Sequence, residues 1–149
     1  MTRETISLRS RALDLLARRE HSRAELQRKL GVYAEDPQEL ANLLDDLSRR
    51  GWLSDVRFTE ALVQSKQAKF GVTRLAHELR ERGVEDSVIR DQLSALKASE
   101  LERAHQVWIT KFGAPSADAK ARAKQMRFLQ SRGFTLDVIS KVVRGIVDD

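Results

Sequence analysis

Leu79-Arg80-Glu81-Arg82-Gly83-Val84, followed by Val88-Ile89, and Leu129-Gln130-Ser131-Arg132-Gly133-Phe134, followed by Val138-Ile139, are one pattern written twice. In each, a helical run ends in Leu-x-x-x-Gly, an apolar residue follows, and a new apolar helix face opens at the same offset. Lys69-Phe70-Gly71 and Lys111-Phe112-Gly113 stand before the two copies and read as a second shared phrase. A small helical unit that cannot bury its own apolar face must stack on a neighbour, so recurrence of this kind predicts units laid side by side. Function is then expected on an extended surface more than in a pocket.

Outward from these copies, start and stop signals divide the chain into about nine short helices. Leu8, Ala12, Leu15 and Leu16 form a helical stripe that His21 closes, and Ser22 with Glu25 forms a capping box for the next helix. Asp36-Pro37-Gln38-Glu39 is another start, with Asp at the cap and Pro at the first helical position. Leu40, Leu43, Leu44 and Leu47 mark the buried face that follows, and Gly51 stops it.

Ser54-Asp55 opens a helix carrying Phe58, Ala61, Leu62 and Ser65 on one face. Leu75, Ala76 and Leu79 mark the next, and Val88, Ile89, Leu93 and Leu96 the one after. Ser99 with a capping Glu102 starts a helix through Leu101, Ala104, Val107 and Trp108. Ala114-Pro115-Ser116 is read as the start of an Ala-rich helix through Ala119, Ala123, Met126 and Leu129, and Thr135 as the cap of a last one with Val138, Ile139, Val142, Val143 and Ile146.

The expected fold is all-α, an elongated, curved array of three tandem three-helix repeats over residues 1–53, 54–98 and 99–149. No segment shows the period-two alternation of a strand. With helix axes about 8–10 Å apart, the array would reach on the order of 60 Å.

Composition agrees with helix-on-helix packing: apolar residues make up 41% of the 149 residues but aromatics only 5%. There is no Cys, which leaves no disulfide or thiolate metal site. No apolar stretch approaches the roughly 18 residues that span a bilayer, and no secretory core opens the chain. A cytoplasmic, non-membrane protein is expected.

Catalysis has little to stand on. His21, His77 and His105 lack metal-ligand spacing, no glycine-rich phosphate loop occurs, and the carboxylates sit where cations can pair with them. The chain is read as not an enzyme and as needing no cofactor.

Charge points to binding. The net charge is +5 and the sequence pI about 9.9, which suits an acidic partner such as nucleic acid. Glu25 before Lys29, Asp45 before Arg49, Asp46 before Arg50, Asp14 before Arg18 and Glu78 before Arg82 are four-residue pairs that leave little field outside their helices. Two stretches differ. No acid lies between Glu60 and Glu78, where Lys66, Lys69 and Arg74 occur, nor between Asp118 and Asp137, where Lys120, Arg122, Lys124, Arg127 and Arg132 occur. The segment Glu35 to Glu60 holds seven acids, so an acidic patch is expected near the first junction. Trp108 reads as core, and Trp52 as a plug between units.

Assembled, these phrases resemble the RecX (OraA) family, regulators of the bacterial recombinase RecA. The resemblance rests on Ser22-x-x-Glu25-Leu26-x-x-x-Leu30, on Leu47-x-x-x-Gly51-Trp52-Leu53-x-Asp55-x-x-Phe58, and on Lys69-Phe70-Gly71-x-x-Arg74-Leu75-x-x-Glu78-Leu79-x-x-x-Gly83-Val84. It closes with Arg127-Phe128-Leu129-x-x-x-Gly133-Phe134 and Val138-Ile139, covering about Leu8 to Ile146. Thr59 departs from the Ala usual after Phe58.

The resemblance implies a crescent of three-helix repeats, a monomer lodged in the groove of a RecA filament on single-stranded DNA. It implies suppression of RecA's ATP hydrolysis, strand exchange and co-protease activity, and so moderation of recombination and the SOS response. On this reading Lys66, Lys69, Arg74, Lys120, Lys124 and Arg127 face the filament or its DNA, with weak, salt-dependent binding to DNA alone. An autonomous helix-turn-helix-like DNA-binding module is the alternative.

Overall fold

The computed structural model describes residues 5–145, and Ile146 lies outside that range. Among the described residues there are nine α-helices and no strand: α1 Leu8–Arg18, α2 Arg23–Gly31, α3 Pro37–Arg49, α4 Asp55–Lys66, α5 Val72–Glu81, α6 Asp86–Ser94, α7 Glu100–Phe112, α8 Ala119–Ser131 and α9 Leu136–Val143, with a 3₁₀ turn at Lys97–Ser99 between α6 and α7.

Their apolar faces close into three separate clusters. Ala12, Leu26, Leu30, Leu40, Leu44, Leu47 and Leu53 fill the first. Phe58, Leu75, Leu79, Val84, Ile89, Leu93 and Leu96 fill the second, and Ala104, Trp108, Leu129, Phe134, Ile139, Val142 and Val143 the third. The accessible surface, 9772 Å², exceeds the roughly 7,700 Å² of a compact globule of this mass. The excess fits an elongated array, and the three separate clusters mark it as three three-helix units.

Local signals decide most helix starts. The Ser22–Glu25 capping box forms as read, each residue's side chain accepting from the other's backbone N–H at 3.1 Å. Asp36 accepts from the Gln38 N–H at 3.0 Å with Pro37 in the first turn.

Three starts differ. Ser99 makes no capping bond; its hydroxyl donates to the Leu96 carbonyl in the 3₁₀ turn. α8 begins at Ala119 behind an Asp118 cap, while Ser116 accepts from the Asp118 N–H. Thr135 holds the cap position of α9 without a side-chain bond.

The two Lys-Phe-Gly phrases are not equivalent in space. Gly71 caps the start of α5 with φ −86°, whereas Gly113 closes α7 with φ +80°. Trp52 is 44% exposed, its ring under the Arg50 guanidinium at 5.2 Å, and does not plug a junction. Trp108 is core: it is 3% exposed and donates from its indole N–H to Gln125 at 2.9 Å.

Candidate binding face at the unit junctions

Both junctions are made by one contact. At the first, the Ser22 hydroxyl at the head of α2 donates to the Arg82 carbonyl at 2.6 Å, and Gly83, with φ +80°, lies so close that a Cβ on it would come within 2.3 Å of the Ala24 Cβ. At the second, the Gly71 N–H at the head of α5 donates to the Arg132 carbonyl at 2.8 Å and the Thr73 N–H to the Gly133 carbonyl at 3.1 Å. Gly133, with φ +89°, would put a Cβ 2.3 Å from that of Arg74, and a Cβ on Gly71 would meet the Gly133 carbonyl oxygen at 2.4 Å. A step of 49 residues carries Ser22 and Ala24 onto Gly71 and Thr73, and a step of 50 carries Arg82 and Gly83 onto Arg132 and Gly133. The head of each unit's second helix thus receives the glycine turn of the next unit, a head-to-tail relation repeated once.

The polar locks around this shared contact differ. At the first junction Glu25, 4% exposed, accepts both guanidinium arms of Arg19 at 3.2 and 2.9 Å and reaches Arg82 of the next unit at 2.6 Å. Burial alone would raise its pKa, but the bonds from Arg19, the Ser22 N–H and Arg82 outweigh it and bring the carboxyl down to about 2.

Arg57–Glu20 at 2.9 Å and the Arg23 N–H on Asp55 at 2.8 Å add two more ties. His21 is buried alongside. Its Nε2 faces the Lys29 ammonium at 3.0 Å and its Nδ1 faces the Arg19 carbonyl at 3.0 Å, so Nε2 accepts and Nδ1 donates, which fixes one neutral tautomer. Burial chiefly, with the nearby Arg19 and Lys29 charges, lowers its pKa.

At the second junction Arg103 donates to the carbonyls of Gln67, Phe70 and Leu96, at 2.8, 2.9 and 3.4 Å, stapling the ends of α4 and α6 to α7. Glu100, 3% exposed, accepts from the Val72 N–H at 3.2 Å, and burial raises its pKa.

Each junction also opens a groove on one side of the array. The first, about 360 Å³, is lined by Ala61, Leu62, Ser65 and Lys66 of α4, Glu78 and Arg82 at the end of α5, and Arg19 and Glu20 of the preceding unit, with Phe58 in its floor. The second, about 370 Å³, is lined by Gln106, Val107, Thr110 and Lys111 of α7, Phe128 and Arg132, and Ala68 and Lys69 of the preceding unit. Steps of 45 residues on the first helix and 50 on the second superimpose the two linings: Lys66 falls on Lys111, Arg82 on Arg132, Glu78 on Phe128, and Glu20, by the inter-unit step of 49, on Lys69.

Charge therefore divides them. In the first groove Lys66 is held by Glu78 at 2.5 Å, and Glu20 and Glu78 neutralise the surrounding cations. The second groove has no acidic lining residue. Phe128, in the place of Glu78, instead carries Lys111 Nζ at 5.3 Å and the Arg132 guanidinium at 5.1 Å from its ring centroid.

The six cations singled out in the sequence fall into three places. Lys66 is tied to Glu78, the acid that closes its acid-free stretch of sequence. Lys69 lines the second groove; Arg74 lies 4.1 Å from the Phe70 centroid and donates to the Ser131 carbonyl at 3.1 Å across the same junction. Lys120, Lys124 and Arg127 are exposed on α8.

Lys111 and Arg132 line the second groove but are not among the six cations, because the Lys-Phe-Gly phrase sets Lys111 in register with Lys69, whereas the fold sets it in register with Lys66. Of the five helical pairs read from sequence, Asp14–Arg18, Asp46–Arg50 and Glu78–Arg82 form, but Glu25 is taken by Arg19 and Arg82, and Asp45 by Arg23. No group of three His, Cys, Asp or Glu side chains among the described residues could hold a metal ion, and no helix among them is long and apolar enough to cross a membrane.

Residues 54–93 match the second three-helix domain of RecX, and residues 98–143 the third. The chain belongs to the RecX family. It is 49% identical over 142 residues to the regulatory protein RecX of Leptothrix cholodnii, covering 95% of this chain and 90% of that one. It is 46% identical to the RecX of Chromobacterium violaceum, covering 100% and 97%. The crystal structure of RecX from Lactobacillus salivarius superimposes with a TM-score of 0.81 at 17% identity, over 93% of this chain and 94% of that one. A second RecX crystal structure does so with a TM-score of 0.78 at 20% identity, over 91% and 70%. RecX relatives are named regulatory proteins, and this chain shares their fold along nearly its whole length.

Proposed function

We propose that the chain is a cytoplasmic, monomeric regulator that binds the RecA filament on single-stranded DNA and inhibits RecA's ATP hydrolysis, strand exchange and co-protease activity. The observation that carries this reading is the repeated head-to-tail junction in a RecX chain. A unit interface used twice places successive units in one repeated geometry, which suits a partner that is itself a polymer of identical subunits. Weak contacts on successive units then add through effective concentration, and a bridge between neighbouring subunits holds the filament in an unproductive spacing. The three units, 1–53, 54–98 and 99–149, act as one such bridge. Lys69, Arg74, Lys120, Lys124 and Arg127 are assigned to the filament or its DNA, while Lys66 is held within its own unit by Glu78.

ATP turnover by the cognate recombinase on single-stranded DNA tests the reading. Added protein is expected to lower turnover in a saturable manner, and reversing Lys69 and Arg127 to Glu to raise the concentration needed. Unchanged turnover at saturating protein overturns it.

A further inference from the structure

The two junction grooves share one backbone frame, so their difference in lining is a difference in what they bind. In the first, Glu78 and Glu20 occupy the positions where a ligand's anionic groups would sit, and Lys66, Arg82 and Arg57 are already engaged by them. In the second, those two positions are Phe128 and Lys69. Lys69, Lys111 and Arg132 line that groove without an acid among them, and Lys111 and Arg132 rest on the Phe128 ring. A cation seated on a ring has already given up part of its side-chain freedom, so less is lost when it grips an anion.

We propose that the second junction groove binds the sugar–phosphate backbone of single-stranded nucleic acid, and that the first groove, self-neutralised, does not. Phosphates fit better than the carboxylates of an acidic protein segment. The Arg132 fork matches the geometry of phosphate oxygens, and the apolar floor of Val107 and Phe128 takes the face of a sugar or base as a helix of acidic side chains would not. Two to three phosphates are neutralised, which gives binding that is weak alone and strongly dependent on salt. The inference rests on the filament reading in that it names which component of the filament this groove reads, namely the DNA.

The test is fluorescence anisotropy of a labelled oligothymidylate titrated with the full chain across a salt series, with RecA absent. The wild type is expected to show a log–log salt slope of about −1.5 to −2, from roughly 0.7 per phosphate on a single strand. Lys111→Glu and Lys69→Glu should each lose about tenfold in affinity at low salt, with thermal midpoints unchanged; Lys66→Ala should leave affinity as it was. The double change Glu20→Lys with Glu78→Gln should steepen the slope by opening the first groove to phosphate. Equal affinity for wild type and Lys111→Glu overturns the inference, as does stronger competition by polyglutamate than by an unlabelled oligothymidylate of equal charge. Assaying the same proteins for inhibition of RecA separates the two readings: DNA loss at Lys111 without any wild-type inhibition keeps the groove and removes the regulator, and inhibition with no effect of Lys111 or Lys69 on DNA does the reverse.

Discussion

The first and second junctions have the same skeleton and opposite chemistry, and the contrast shows how a repeat is put to two uses. Both seat a glycine turn on a helix head through a backbone carbonyl. The first surrounds that seat with carboxylates that cross-link the units, and the second leaves its cations facing solvent. What is conserved in space between the junctions is steric; what differs is electrostatic. The shared part seats one unit on the next, and the other part sets the charge that each groove presents.

The sharpest way to break the comparison is to give the second junction the first one's side chain. Gly71→Ser places at Gly71 the residue type found at Ser22, but its Cβ would meet backbone atoms of Gly133 and Phe134 at 2.4 to 2.7 Å. Neither backbone can yield, so destabilisation of about 3 kcal/mol or more is expected, at the upper end of overpacking, visible as a lowered urea midpoint. An unaltered midpoint would show that the units part more easily than the contact implies.

Acid should separate the junctions next. Glu25, lowered to about 2 from an ordinary 4.5, contributes about 3 kcal/mol that is complete above pH 4.5 and lost as pH falls toward 2. His21, also lowered, contributes stability above pH 6.5 that declines below it. Glu100 has the opposite sign: its carboxyl is raised by burial, so its contribution is present at low pH and lost as pH rises through its folded value. Hydrogen exchange near pH 3.5 should therefore show protection failing first between α1 and α2, while the head of α5 holds. Simultaneous loss at both junctions would contradict this.

A smaller effect tests the cores instead of the junctions. The register that carries Leu26 onto Leu75 carries Leu75 onto Gln125, where an amide accepts from Trp108. Gln125→Leu leaves the buried indole N–H unpaired and should cost about 1–3 kcal/mol. Adding Trp108→Phe should recover much of that, as chemical denaturation of the single and double variants would show. The least effect is expected at Lys66→Ala, under about 1 kcal/mol for a partly exposed pair, with inhibition of RecA unchanged.

Periodicity and caps made the nine helices legible, because these signals are local: Ser22 with Glu25 and Asp36 with Pro37 act within one turn. Where two starts were misplaced, tertiary context intervened, as at the 3₁₀ turn before Ser99 and the Ser116–Asp118 turn before α8. The candidate site was less legible. Lys69-Phe70-Gly71 lies in the connection after α4, whereas Lys111-Phe112 are the last residues of α7 itself, so the matching phrases are out of register and do not report that Lys111 stands where Lys66 does. Spacing pairs Glu25 with Lys29 within its helix, but Arg82 from 57 residues away takes it. Which acid meets which cation is settled by packing between units, and spacing along one helix does not report it.

A tail that fits a head would let copies of a chain add to one another without end. Here the leading unit lacks the tail. The position in register with Gly83 and Gly133 is Ala34, and no residue other than glycine among those described adopts a positive φ. The turn instead presents Val32, 81% exposed, and Tyr33 beneath the Arg11 guanidinium at 3.7 Å. The leading unit thus does not offer the glycine turn through which the second and third units each seat on the helix head before them.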